Sequence, residues 1–233
     1  MNEHYPSTAV LLFALPSEME ARRKPLVGSG GRDERVWQTL ELLTLAKIAA
    51  AGLPVVVSHR LPGGQLGTFG EQLLRAARAV LDQGYDSVIC VGNDCPSLRP
   101  QDLTQAARAL QRGQLPVGAD QRGGVYLVGF TRSVLTHNGA LALLPWQTTS
   151  LASALLAMLH EEGQPPFLLT QNHADWNTRT DVCPNDVVTG SRWMAALLAA
   201  FWGHETRFRA LSPSFLQSGR PAPCGLRGPP VSG

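Results

Sequence analysis

The chain has 233 residues, 44% of them hydrophobic and 16% charged, and carries a net charge of +2. This length suits one large domain with a true core rather than two. The charge is too small to mark a nucleic-acid surface, and the apolar runs are interrupted well short of a bilayer span.

Residues 8–14 are apolar and β-rich, which predicts a first strand. Residues 15–24 read as a loop ending in three cations, Arg22, Arg23 and Lys24, followed by the glycine-rich stretch at 28–31. Cations among flexible glycines suit phosphate binding, and a solvated basic loop is the plainer alternative. The stretch lacks the Gly-Lys-Ser/Thr ending of a P-loop. Residues 32–51 predict a helix with Val36, Leu40, Leu43, Ala46 and Ala50 on one face and Gly52 as its stop. A strand follows at 53–58. Thr68-Phe69-Gly70-Glu71 reads as a capping box opening a helix that buries Leu73, Leu74, Ala77, Val80 and Leu81.

The run 87–91 predicts a buried strand that ends in Gly92-Asn93-Asp94-Cys95-Pro96. That turn places Asp94 at the carboxyl edge of a sheet, where α/β proteins hold ligands. A carboxylate there suits a hard divalent cation, although turn aspartates also bond their own backbone. Pro100 sits at the first turn of a helix with Leu103, Ala106, Ala107 and Leu110 inward. Strands at 116–119 and 125–130 flank a Gly123-Gly124 turn. Trp146 is placed either to stack on a base or sugar or to fill the core. Ser150 is the expected cap of a helix reaching Glu162, and residues 167–170 are a late strand. The Asp175-Trp176-Asn177 segment follows, with Asp175 and Asn177 alternating in direction if extended. A final helix is expected at 187–202.

The alternation of strands and helices predicts an α/β fold, three layers deep, with a mainly parallel mixed sheet and its strand-end loops on one edge. One domain is expected over 1–203, and a loosely packed Pro/Gly/Arg tail over 204–233. Arg207, Arg209, Arg220 and Arg227 are dispersed through that tail rather than clustered, so nucleic acid is not an expected partner. Cys90, Cys95, Cys183 and Cys224 lack Cys-x-x-Cys spacing, which argues against zinc or a disulfide framework. A polar start without a signal peptide and a reduced cysteine set predict a cytoplasmic protein.

Several segments in order resemble one family. They are Leu12-Phe13-Ala14, Gln65-x-Gly67-x-Phe69-Gly70-Glu71, Gly92-Asn93-Asp94-Cys95-Pro96, Gly123-Gly124-Val125-Tyr126, Trp146-Gln147-Thr148 and Asp175-Trp176-Asn177-Thr178-x-x-Asp181. The chain is similar over residues 8–200 to the glycosyltransferase A-like bacterial proteins described as radical-SAM/selenodomain-associated transferases. The resemblance implies a GT-A (nucleotide-diphospho-sugar transferase) fold and a nucleotide-activated donor with a small-molecule acceptor. It further implies Mg²⁺ or Mn²⁺ held by Asp94 and Asn177.

Two departures stand out. Met19-Glu20 and Arg23-Lys24-Pro25-Leu26 replace the family's Pro-Gly and Lys-Thr-Arg-Leu, and Arg122 stands where the family has an aspartate before its Gly-Gly. Asp120, two residues earlier, is the candidate general base. Arg22, Arg23, Lys24, Arg122, Gly123, Gly124 and Trp146 are the candidate nucleotide-binding residues. The expected function is a metal-dependent, glycosyltransferase-like enzyme. The alternatives are a nucleotidylyltransferase and a catalytically degenerate nucleotide- or anion-binding protein, with Arg122 as a built-in cation.

Overall fold

A computed structural model describes residues 7–62, 66–137, 139–170 and 173–182, together with Leu197 and Phe201. The expected tail at 204–233, most of the final helix at 187–202, Cys183 and Cys224 lie outside the described residues.

Among the described residues, six strands form one sheet in the order β2-β1-β3-β5-β4-β6: β1 (Thr8–Leu12), β2 (Val55–Val57), β3 (Ser87–Val91), β4 (Leu115–Ala119), β5 (Val125–Thr131) and β6 (Pro166–Leu168). β1 pairs in parallel with β2 and β3, and β4 pairs in parallel with β6. β5 alone runs against its neighbours, β3 and β4. Every residue of β1 and β3 is buried, as expected of strands covered on both faces.

The helices match their local signals. The helix α2 (Gly30–Ala50) buries Val36, Leu40, Leu43 and Ile48, while Ala46 and Ala50, expected on the same face, are half-buried and exposed because the face turns toward Ile48. In α3 (Phe69–Leu81) the capping box forms on both sides: Thr68 accepts from the Glu71 amide, and Glu71 accepts from the Thr68 amide. The helix α4 (Pro100–Gln111) starts at its proline and buries Leu103, Ala106, Ala107 and Leu110. The next helices are α5 (Arg132–His137), which sequence patterning missed, and α6 (Leu151–Glu161). Ser150 occupies the cap position of α6 without a side-chain capping bond; its hydroxyl lies 3.0 Å from that of Thr148.

One expectation needs correction. The segment after β1 is not a loop but a short helix, α1 (Ser17–Arg23). Pro16 precedes it, Glu18 and Glu20 occupy its first turn, and Arg22 and Arg23 its last, which suits the helix dipole.

Among the described residues, two apolar clusters hold the fold. The larger lies between sheet and helices, and Leu11, Ile89, Leu74, Leu103 and Phe130 are among its buried members. The smaller joins α1 and α2 to the later residues Trp176 and Leu197 through Ala21, Leu26, Trp37 and Leu40. Lys47, near the end of α2, is buried, and its ammonium donates to the Pro96 carbonyl behind the Asp94 turn.

Candidate active site

The strand directions decide where the loops meet. Leu12 lies beside Val91 in the parallel pair, and the Phe13 amide donates to the Val91 carbonyl at 2.8 Å. The segments after β1 and β3 therefore leave the sheet together. Because β5 is reversed, the β4–β5 turn returns to the same edge, with Ala119 opposite Val125. The parallel β6 delivers 173–177 there as well, and Asp120 bridges to His173. This edge carries a cavity of about 590 Å³.

Asp94, Asp120 and Asp175 all line the cavity, with Glu20, Arg23, Lys24, Arg122 and Asn177. The Lys24 ammonium lies 2.7 Å from Asp94 Oδ2. Burial alone would lower the Lys24 pKa, but the charge and hydrogen bond of Asp94, with Glu20 and Asp175, outweigh it and hold the ammonium charged. Burial also raises the Glu20 carboxyl, only partly offset by the Leu15 amide that donates to it and by Lys24.

Asp175 is the residue that the resemblance did not select. Its backbone neighbour Trp176 donates from its amide to the Asp94 carbonyl at 2.7 Å, which pins the 175–177 segment against the Asp94 turn. Burial, then the charges of Asp94 and Asp120, push the Asp175 carboxyl up to about 8, against the opposing pull of Lys24 and of the Cys95 thiol beside it. Its Oδ1 is buried without a hydrogen-bond partner. Among the described residues, the other buried side-chain atoms in that condition are Asn93 Nδ2 and His59 Nδ1, and both residues line the same cavity. Polar atoms buried at the cost of a hydrogen bond are expected where a ligand supplies the missing partner.

The remaining candidates divide. Arg22 is outside the cavity, its side chain 76% exposed and paired with Glu18 at 2.5 Å. Arg122 lines the cavity but is tethered: its guanidinium donates to the Asp175 carbonyl at 2.8 Å and pairs with Asp181 at 3.0 Å. Asp120 Oδ1 accepts from the Arg122 and Gly124 amides, both at 2.7 Å, so that oxygen shapes the turn. Gly123 has φ +85°, and a Cβ there would meet the Thr149 carbonyl oxygen at 2.0 Å; Gly124 packs against the Asp120 carboxylate. Trp146 lines the apolar end beside Phe69, with ring centroids 5.9 Å apart, and its indole N–H donates to the Leu141 carbonyl. Phe13 meets Phe69 edge-on at 5.2 Å. Gln147, also lining the cavity, holds φ +64°, a strained backbone for a residue other than glycine.

A buried scaffold stands behind this edge. His173 and Asp102 pair at 2.9 Å, and Asp102 also accepts from the Arg99 amide at 2.8 Å at the start of α4. The strand-end segment carrying Asp175 is thus bolted to a helix on the far side of the sheet edge.

The solved structure of a protein from Desulfovibrio desulfuricans G20, provisionally assigned as a nucleotide-diphospho-sugar transferase, shares this architecture. It is 18% identical, with a TM-score of 0.66 over 85% of this chain and 98% of that one. The chain has a GT-A fold. Residues 37–148 match a family described as an uncharacterized protein conserved in bacteria, DUF2064. Weaker likenesses include Rv0371c of Mycobacterium tuberculosis H37Rv in complex with manganese, 20% identical over 76% of this chain and 95% of that one, with a TM-score of 0.44. Another is glucosyl-3-phosphoglycerate synthase of Mycobacterium tuberculosis with Mn²⁺, uridine diphosphate and glucosyl-3-phosphoglycerate, 17% identical over 87% of this chain and 82% of that one, with a TM-score of 0.43. No curated protein matches the sequence. No helix among the described residues is long and apolar enough to cross a membrane.

Proposed function

We propose that this GT-A domain is a metal-dependent transferase acting on a nucleotide-diphosphate-activated donor, with glycosyl transfer to a small-molecule acceptor as its reaction. The observation that carries the reading is the buried, unpartnered Asp175 Oδ1 in the cavity that Asp94 and Asp120 also line. The resemblance of six ordered motifs to the radical-SAM-associated transferases supports the same reading.

The donor set fits a hard cation. Asp94, Asp175 and Asn177 offer oxygen ligands of the kind Mg²⁺ and Mn²⁺ take. Among the described residues no three His, Cys, Asp or Glu side chains converge as a metal cage. That agrees with a cation shared with a substrate, since Mg²⁺ is usually bound by one or two carboxylates plus phosphate oxygens. When bound, the metal would offset the charge that develops on the departing diphosphate.

The other roles follow from position. Lys24 and Arg23 face the phosphates from the end of α1. Arg122 holds the 175–177 segment rather than the ligand, because its guanidinium is already engaged. Asp120 keeps Oδ2 for the acceptor while Oδ1 is spent on the turn, which suits a general base. Phe13, Phe69 and Trp146 supply an apolar wall for a planar ring.

A second reading, metal-free nucleotide binding without turnover, is favoured by the Lys24–Asp94 contact, because a cation already sits on that carboxylate. Calorimetric titration of nucleoside diphosphates and nucleotide sugars, with and without Mn²⁺, separates the two. Metal-dependent binding followed by transfer or slow hydrolysis of one donor supports the transferase. Metal-independent binding without turnover supports the second reading, and no binding of any nucleotide overturns both.

A further inference from the structure

We propose that Lys24 is the resting counter-ion of the metal site and changes partner, from Asp94 to the ligand's diphosphate, when the divalent cation binds. The inference rests on the metal-dependent reading above and assigns it an order of events.

The Lys24 ammonium and Asp94 Oδ2 are 2.7 Å apart, a full charge-assisted hydrogen bond. A divalent cation approaches a carboxylate oxygen to roughly 2.0–2.1 Å, so a cation taking Oδ2 and the ammonium already on that oxygen would repel strongly. One must leave, and the side chain able to leave is the lysine. Its backbone is fixed: its amide donates to the Glu20 carbonyl and its carbonyl accepts from the Trp37 indole at 3.0 Å. Only the flexible four-carbon stem needs to move. The ammonium already lies 6.0 Å from the Trp37 ring centroid, within reach of a second favourable environment.

The surroundings fix what Lys24 does after leaving. The ammonium leaves a carboxylate inside a partly buried cavity that it lines, and so needs another anion there. A diphosphate meets that need from the same side as the metal. Metal alone must displace a partly buried ion pair, whereas metal together with diphosphate exchanges one ion pair for another. The two ligands therefore bind with positive coupling, and by linkage each raises the affinity of the other by the same factor.

Titration of free Mn²⁺ by electron paramagnetic resonance tests this directly, with circular dichroism confirming that each variant is folded. Lys24→Met and Lys24→Gln are expected to bind Mn²⁺ alone about tenfold more tightly than the wild type, and to lose most of the further gain produced by inorganic pyrophosphate. The added affinity should vanish in the Lys24→Met/Asp94→Asn double variant, which places it at this carboxylate. Equal or weaker Mn²⁺ binding in both single variants, or a gain that survives in the double variant, overturns the exchange. If nucleotides bind the wild type with metal but neither single variant tightens Mn²⁺ alone, the transferase reading stands and the exchange is wrong. If the variants tighten Mn²⁺ but no nucleotide in the panel binds, the exchange stands and the transferase reading is wrong.

Discussion

Asp94 and Asp120 sit at the ends of β3 and β4, where ladder pairing and the large apolar cluster fix them. Lys24 and Asp175 reach the same cavity from α1 and the 173–177 segment, where Trp37, Trp176 and Leu26 form a much smaller cluster. Carboxylates on the first side are placed by backbone that cannot shift without breaking the sheet. The groups on the second side are placed by side-chain packing of a few large residues. The comparison teaches that the first side can define where a ligand binds, while a long side chain on the second, Lys24, can change partners. Several contacts tie them together, among them the Trp176 amide on the Asp94 carbonyl, the Arg122 guanidinium on the Asp175 carbonyl, the Asp120–His173 bridge and the buried Lys47 ammonium on the Pro96 carbonyl.

Trp176→Ala is the strongest way to break this division. Truncating so large a buried side chain costs about 3–5 kcal/mol. Hydrogen exchange should show protection lost over 17–37 and 173–182 while β1 and β3 stay protected. Uniform loss across the sheet would mean that the two clusters unfold as one unit. Next in size is Asp94→Ala, on the rigid side. It should reduce metal-dependent nucleotide binding by about 100-fold or more, the loss expected when a charged ligand to the cation is removed, with little change in melting temperature. Retained binding measured by calorimetry would remove Asp94 from the site.

Gly123→Ala probes whether the 120–124 turn belongs to the rigid side. Its positive φ and the Thr149 carbonyl leave no room for a Cβ, so a loss of about 1–3 kcal/mol is expected in chemical denaturation. A neutral result would show that the turn yields.

A pH-dependent effect concerns Lys47, which bridges the two sides. Burial lowers its pKa to about 8 in the folded protein, against an ordinary value of 10.5, outweighing the opposing pull of Cys95 and Asp102. Between those values the unfolded chain holds more protons than the folded one, so this group makes stability rise with pH across that window. The stability of the wild type relative to Lys47→Met should therefore be flat below pH 8 and increase from about 8 to about 10.5 in denaturant titrations. A flat difference throughout would mean that the ammonium is better solvated than its position implies.

Much of this was legible before any coordinates. The run at 87–91 is β3 residue for residue, because a short β-branched stretch bounded by polar turns leaves few choices. The Thr68–Glu71 box and Pro100 fixed two helix starts through bonds made within four residues. The helix α1 was missed because seven residues carry too little periodicity, although Pro16 with Glu18 and Glu20 in the first turn was a usable signal. The placement of Arg22 was not readable, since only helix phase sends it to Glu18 and solvent while Lys24, two residues on, enters the cavity. Arg122 looked like a free cation beside the ligand, and only the fold brings Asp181 and the Asp175 carbonyl to it.

The sequence by itself determined most of the strands and longer helices, the α/β class and the carboxyl-edge position of Asp94, because each follows from contacts between near neighbours in the chain. The tertiary structure alone decided that β5 pairs with β3, that Asp175 joins Asp94 and Asp120 with one oxygen unpartnered, and that Lys24 rests on a carboxylate 70 residues away. Those outcomes depend on which strands pair and which side chains lose water together, and such long-range couplings leave no local pattern to read.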